Sequence, residues 1–152
     1  MVISYIYTDM GHQMMILDIG APMSIAGVSW MIQYLREFGQ TNKEIKLTKC
    51  NQPFVFGPSR RYLSQTLVEL PVLVTRLDGQ EDVLIIHTYL VDTKVPVLCG
   101  KQTLENWNFR IDNRDKILEI ESKVDGSRMK IKMIDTSGGH YAIVLKTRSK
   151  FD

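Results

Sequence analysis

Short apolar runs and alternating segments, separated by turn signals, dominate the hydrophobic pattern of the chain. Runs of this length are typical of β-strands rather than of helices. Asp78-Gly79 and Asp125-Gly126 lie between such runs and are hairpin signals. Pro71 lies within one run, which indicates an edge strand or a bulge there. The predicted strands are residues 2–7, 14–17, 54–56, 66–77, 82–91, 95–99, 117–120, 129–134 and 141–145.

Only two segments carry a helical pattern. The segment 24–38 has apolar residues three or four positions apart, with Ser24 suited to be its N-cap and Gly39 to end it. Residues 102–107 predict a second, short helix, whereas the polar residues 40–52 predict a surface loop. The pattern therefore predicts an all-β fold, a closed barrel or folded sheet with one medium and one short helix.

Length and composition favour one ordinary globular domain. The 152 residues predict a single domain, 1–152, with a core at about residues 14–145 and termini that act as edge strands or linkers. Apolar residues make up 44% of the chain and charged residues 24%, which excludes a disordered protein. The net charge is only +2, so neither nucleic acid nor an acidic membrane is an expected partner. No apolar run is long enough to span a bilayer, and we find no signal peptide.

The cysteines and histidines do not form a recognisable site. Cys50 and Cys99 lack the spacing of a disulfide framework, and Cys99 lies in an apolar run. A buried thiol in a reducing compartment is therefore expected. The histidines at 12, 87 and 140 have no metal-ligand spacing with the cysteines, so no metal site is predicted.

The most informative residues follow the buried run at 14–17. Asp18 ends this run, and Gly20 and Ala21 follow at once. In one interpretation Asp18 caps the turn and Gly20 supplies a special backbone angle. In the other, the strand delivers a single catalytic carboxylate, as half of an aspartic-protease site requires.

Later segments favour the second interpretation. Residues 97–101 are an apolar run that ends in Gly100 ahead of the short helix signal, and residues 54–58 open a hairpin. Residues 137–141 follow near the end of the core. In this order the segments resemble the retropepsin-like aspartic proteases of retroviruses and LTR retrotransposons, particularly those of retrotransposon polyproteins. The resemblance covers residues 16–145.

The resemblance implies a symmetric homodimer in which one Asp18 from each chain lies at the two-fold axis. The two carboxylates would share one proton and activate a water against a peptide bond. Chain termini build part of the dimer interface in this family. Residues 2–7 or 141–145 are therefore expected to pair across the axis.

The resemblance also implies a function and a set of site residues. The function is an aspartic endopeptidase that cleaves extended segments of a polyprotein, without a metal or organic cofactor and without a nucleic-acid or membrane partner. The implied location is intracellular and cytoplasmic, including the particle of a retrotransposon. The substrate-binding residues would be Gly20, Ala21, Phe56, Gly57 and Pro58. Structural support of the active site would come from Ile19, Leu98 and Gly100.

Three features depart from the family pattern. Ile19 stands where the family has Ser or Thr, whose hydroxyl bonds across the dimer. Pro22 and Lys101 replace an Asp and an Arg that pair near the interface, and the flap tip is not glycine-rich. Two other functions therefore stay open. One is a catalytically weak or inactive dimerisation or peptide-binding module of the same fold, and the other is a β-barrel binding domain in which Asp18 is only a turn residue.

Overall fold

A computed structural model describes residues 13–38, 45–56, 60–122 and 125–146. The predicted strand at 2–7, the helix stop at Gly39 and the flap residues Gly57 and Pro58 lie outside this described part. The strands are β1 (Met14–Asp18), β2 (Ser24–Gly27), β3 (Lys46–Phe56), β4 (Arg60–Thr75), β5 (Glu81–Val91), β6 (Val97–Gly100), β7 (Arg110–Asp112), β8 (Ile117–Glu121), β9 (Arg128–Lys132), β10 (Ile134–Asp135) and β11 (Tyr141–Val144). The helices are α1 (Val28–Phe38) and α2 (Lys101–Asn106).

The described strands form one large and one small sheet. The eight-stranded sheet has the order β10-β11-β1-β6-β2-β5-β4-β3, and the three-stranded sheet has the order β7-β8-β9. β1 pairs in parallel with β6, and β2 in parallel with β5. The prediction of an all-β chain with two helices is confirmed. The expected closed barrel is not found among the described strands, because β10 and β3 remain as open edges of the large sheet.

β11 is an inner strand of the large sheet. Tyr141 and Ala142 pair with β1 along one edge and with β10 along the other. Their backbone groups already have partners within the chain. The expectation that this segment pairs across a two-fold axis is therefore wrong for these two residues.

Each face of the large sheet buries its own apolar cluster, which follows from the alternation of side chains along a strand. In β1, Met15 and Leu17 belong to the larger cluster, which also takes up the buried side of α1. Met14 and Ile16 belong to the smaller cluster on the opposite face. β1 is therefore covered on both faces, as its continuous apolar run predicts.

Helix α1 begins at Val28, so the predicted N-cap at Ser24 is wrong. Residues Ser24–Gly27 form β2, which pairs with β5 along its length and with β6 at Ile25. Apolar spacing over so few residues fits a strand as well as a helix. Pairing with two neighbouring strands decides between them, because tertiary contacts outweigh weak local propensities.

An aromatic ladder fixes the buried side of α1. The Tyr34 ring stacks on Trp30 at a centroid distance of 5.3 Å and on Phe38 at 5.7 Å. All three side chains lie in the larger apolar cluster. Among the described residues, no helix has the length and apolar character needed to cross a membrane.

The loop predicted for residues 40–52 is wrong for residues 46–52, which form the first part of the edge strand β3. Residues 46–52 pair with β4 as part of a long antiparallel hairpin, with a register shift between Lys49 and Gln52. Most side chains of β3 are exposed, so the segment shows no apolar alternation. Its polar character reflects its place at a sheet edge rather than the absence of a strand.

The position of Pro71 agrees with the prediction of an edge. Among the described residues, β3 pairs with β4 only as far as Glu69, so the rest of β4 has no neighbouring strand on that side. The missing N–H of Pro71 leaves no ladder bond unmade there. Two residues on, the Leu73 N–H donates to the Tyr34 hydroxyl at 2.9 Å, and the Leu73 carbonyl accepts from the Lys146 N–H at 2.9 Å.

We expect Tyr34→Phe to lower the free energy of unfolding by about 1–3 kcal/mol, because the buried Leu73 N–H loses its acceptor. Burial raises the pKa of Tyr34 from 10.0 to about 12. The unfolded chain therefore releases this proton at lower pH than the folded chain. The contribution of Tyr34 to stability is complete below about pH 10 and is lost as the pH rises through about 12.

Denaturant unfolding at neutral pH and at pH 10–12 tests this expectation. The matched control is Tyr141→Phe, which removes a hydroxyl that bonds Asn113 at the surface. This control should change stability by less than about 0.5 kcal/mol. Equal effects of the two variants, or an alkaline loss as steep in Tyr34→Phe as in wild type, would contradict the role given to Tyr34.

Candidate active site

The candidate site lies where the connection between β1 and β2 crosses the end of β6. β6 lies between β1 and β2 in the sheet, and the register places Asp18 beside Gly100. β1 and β6 are parallel, so their carboxyl ends lie at the same edge of the sheet. Residues 19–23 must therefore pass over the junction between β6 and α2 to reach β2.

Backbone hydrogen bonds hold this crossing in place. The Lys101 N–H donates to the Ala21 carbonyl at 2.8 Å, and the Gln102 N–H donates to the Pro22 carbonyl at 3.1 Å. The first N–H groups of a helix have no partner within the helix. Gly100 at the N-cap has no side chain to supply one. The loop after Asp18 therefore caps α2 with its own carbonyls.

Gly100 is required by the close approach of the two segments. A Cβ added at Gly100 would lie 2.5 Å from both the carbonyl carbon and the carbonyl oxygen of Met23, and 2.9 Å from the Ala21 oxygen. Backbone atoms cannot move aside as a flexible side chain can. The supporting role predicted for Gly100 thus has a steric basis, and Leu98 of the same strand pairs with Ile16 beside it.

Asp18 is held in a tight turn. Its carbonyl accepts the Ala21 N–H at 3.1 Å, and its carboxylate Oδ1 accepts the Gly20 N–H at 3.1 Å. Gly20 does not adopt a positive φ, so the special backbone angle expected there is absent. A side chain at Gly20 would instead lie 3.3 Å from Oδ1 of Asp18, which is a tight contact.

The second carboxylate oxygen of Asp18 has no such partner. Asp18 is only 3% exposed, and its Oδ2 is buried without a hydrogen-bond partner among the described residues. Buried polar atoms in folded proteins are nearly always satisfied, and each exception requires an explanation, of which a catalytic role is one. The turn interpretation accounts for Oδ1 but leaves Oδ2 unexplained.

The hairpin β3–β4 reaches the face of the sheet that carries Asp18. Alternation along β1 places Asp18 on the same face as Met14 and Ile16, and these two residues belong to the smaller apolar cluster. Half-buried aromatic residues pack against this cluster, namely Phe54, Tyr62 and Tyr89. The Phe54 ring meets the Tyr89 ring edge-on at 5.5 Å. The predicted flap hairpin is thus confirmed as a hairpin, and part of it lies against the Asp18 face.

The remaining predicted residues are distributed along the same turn and the hairpin. Ile19 is 47% exposed in the turn, directly beside the buried Asp18. Phe56 ends β3 and pairs with Arg60. Lys101 forms an exposed ion pair with Glu105 at 3.7 Å.

A buried hydroxyl pair behind the turn was missed by the sequence analysis. Ser24 Oγ and Thr103 Oγ1 are 2.6 Å apart, and Ser24 Oγ also accepts the Gly100 N–H at 2.9 Å. Cys99 lies next to them, and burial raises the pKa of its thiol well above the ordinary value. Assignment of residues 24–27 to a β-strand would have drawn attention to Ser24. No local signal marks Thr103.

The described residues contain no group of three or more His, Cys, Asp and Glu that could hold a metal ion. His87 lies on β5 at 3.4 Å from Glu69 on β4, as an exposed pair. His140 lies in the turn that precedes β11, where its carbonyl accepts the Thr136 hydroxyl at 2.7 Å. Neither histidine is within the turn of Asp18.

Comparison with known proteins adds no family assignment. No protein-family profile matches the chain, and no curated protein is significantly similar to it.

We expect Gly100→Ala to lower the free energy of unfolding by about 3 kcal/mol or more, the upper range for over-packing, because the new methyl group meets backbone. Gly20→Ala meets only a carboxylate oxygen and should stay within about 1 kcal/mol of wild type. Denaturant unfolding of both variants measures the difference. Equal stability of Gly100→Ala and wild type would show that the crossing is looser than described.

Proposed function

We propose that the chain is an aspartic endopeptidase of the retropepsin type. It acts as a symmetric homodimer with one Asp18 from each protomer in the active site, and it cleaves extended segments of a polyprotein. The observation that carries the proposal is the buried carboxylate of Asp18, which has one oxygen fixed by the turn and the other without a partner among the described residues.

A second copy of the chain would supply what Oδ2 lacks. Two carboxyl groups about 3 Å apart cannot both ionise, so they hold one proton between them. That proton bridges the two groups and satisfies one oxygen from each. A carboxylate that only caps a turn would be expected to point its second oxygen to water, and Oδ2 is buried.

Hydrolysis follows from this shared proton. The ionised carboxylate takes a proton from a bound water as the water oxygen attacks the scissile carbonyl carbon, and the protonated carboxyl donates to the carbonyl oxygen. The tetrahedral intermediate then collapses with cleavage of the C–N bond. The protonated carboxyl donates to the leaving nitrogen, and one hydroxyl of the intermediate returns its proton to the ionised carboxylate as the new carbonyl forms. Two peptides are released, and the pair again holds one proton.

The face of the sheet that carries Asp18 fits an extended peptide with apolar side chains. Phe54, Tyr62 and Tyr89 are half-buried against the same face of the sheet, so part of each ring remains accessible. Aromatic rings contribute large apolar contact areas at binding sites. A hairpin that lies against this face would also exclude water from the reacting bond.

A non-catalytic module is the second candidate, because of Ile19. Its side chain is 47% exposed in the turn beside Asp18 and carries no hydroxyl. An exposed apolar side chain at this place fits contact with a second copy of the chain or with a bound peptide. Under this alternative the dimer forms and the peptide binds, but the bond is not cut.

We expect the purified protein at high concentration to cleave a diverse peptide pool at mildly acidic or neutral pH. Asp18→Asn keeps an oxygen acceptor for the Gly20 N–H and should abolish cleavage, because it cannot hold or release the shared proton. Mass spectrometry of the pool measures both proteins, and sedimentation measures their association. Cleavage that persists in Asp18→Asn would refute Asp18 as the catalytic acid, whereas a wild-type protein that is dimeric and inactive would refute the endopeptidase and favour the module.

We expect Ile19→Thr to raise the turnover of the dimer about threefold to tenfold, the effect of one net hydrogen bond between the paired turns. Ile19→Val is the matched control, since valine has the shape of threonine without its hydroxyl. Steady-state kinetics with a peptide from the pool compares the three proteins at a saturating dimer concentration. An equal gain in both variants would assign the effect to side-chain size and contradict a role for the hydroxyl.

A further inference from the structure

We propose that the hydroxyl pair of Ser24 and Thr103 positions the Asp18 carboxylate for catalysis. The inference rests on the proposed function. Neither residue approaches the reacting bond in this assignment. Both act through the crossing loop, which is residues 19–23 between β1 and β2. They are therefore positioning residues.

The pair ties together three elements that meet behind the site. Ser24 opens β2, Gly100 ends β6, and Thr103 lies in the first turn of α2. Ser24 Oγ accepts the Gly100 N–H at 2.9 Å and lies 2.6 Å from Thr103 Oγ1. Both side chains are buried, so water does not compete for these bonds.

The crossing loop is thereby fixed along its length. Its start is held by the pairing of Asp18 with Gly100, and its middle by the Ala21 and Pro22 carbonyls that accept from α2. Its end is held by Ser24. Removal of the hydroxyl pair frees that end of the loop and the first turn of α2 to move relative to β6.

Movement of the loop reaches the carboxylate through Gly20. The Gly20 N–H belongs to the loop and donates to Asp18 Oδ1 at 3.1 Å. This is the bond that orients the carboxylate, because Oδ2 has no partner among the described residues. A small displacement of the loop therefore rotates or releases the acid, and misplacement of a reacting group by about 1 Å can reduce a rate by about 100-fold.

The test removes one hydroxyl without changing the shape of the core. Thr103→Val deletes the hydroxyl, whereas Thr103→Ser keeps it and deletes the methyl group. Thr136→Val is the control, because Thr136 is also buried and its hydroxyl bonds the His140 carbonyl at 2.7 Å, in the turn before β11 rather than in the loop of residues 19–23. Each variant is measured in the full chain, both for steady-state cleavage of a peptide from the pool and by NMR.

Thr103→Val is expected to lower kcat about tenfold to 100-fold with KM changed less than twofold, because the acid moves and the substrate-binding face does not. The resonances of the Gly20 amide and the Asp18 carboxyl carbon should shift. Thr103→Ser should restore kcat and both resonances. Thr136→Val should keep the wild-type kcat, whatever stability it loses.

Ser24→Ala, measured alone and combined with Thr103→Val, completes a double-mutant cycle. The double variant should lose no more kcat than Ser24→Ala alone, because Ser24→Ala already removes the bond to Thr103 together with the bond to the Gly100 N–H. The proposal is overturned if Thr103→Val keeps the wild-type kcat and resonances, or if Thr103→Ser behaves like Thr103→Val. A wild-type protein that cuts nothing refutes the proposed function separately. Shifted Asp18 and Gly20 resonances in Thr103→Val would then still support the positioning role.

Discussion

The crossing of residues 19–23 over the end of β6 is the constraint on which the rest of the structure depends. The loop supplies carbonyl acceptors to the first turn of α2, and α2 supplies the N–H groups that hold the loop. Met23 lies so close to Gly100 that no side chain fits between them. Each of the three segments satisfies the backbone of another, so none can move without leaving polar groups unpaired. A carboxylate placed at the start of such a crossing is held by the main chain rather than by side chains.

Two kinds of buried polar group occur at this crossing. The hydroxyls of Ser24 and Thr103 are buried and bonded, whereas Oδ2 of Asp18 is buried and has no partner among the described residues. Among the described residues the other buried side-chain atoms without a partner are Trp30 Nε1, Thr88 Oγ1 and Arg128 Nε, so Oδ2 is the one carboxylate oxygen that departs from full hydrogen bonding. Such departures are expected at functional sites, where the structure holds a group ready for chemistry at a cost in stability.

The fold could be predicted from the sequence where the signals are local. The hairpin signal at Asp78-Gly79 and the apolar run of β1 depend only on neighbouring residues, and both elements occur as predicted. Ser24–Gly27 and the first half of β3 were misassigned because their strand character comes from distant partners, β5 and β4. The residue composition of a polar or weakly apolar segment does not indicate which distant strand it will pair with.

The same distinction holds at the candidate site. Asp18 and Gly100 were found because an apolar run that ends in a carboxylate or a glycine is visible along the sequence. Thr103 and Tyr89 were not found, since each is an ordinary residue in an ordinary element. Their relation to Asp18 appears only when β6 lies between β1 and β2 and the β3–β4 hairpin reaches the face of the sheet.

The insertion of β6 between β1 and β2 also sets the order in which the site can form. β1 and β2 leave the ribosome early, but the strand that separates them and the helix that binds their loop come much later in the chain. Contacts between such distant segments form late because loop closure must come first. A nascent chain that ends before Lys101 contains Asp18 and the local bonds of its turn, but it lacks the N–H groups of α2 that hold the loop after it. For a protein proposed to cut polypeptides, the acid therefore acquires a fixed position only after β6 and α2 have been synthesised.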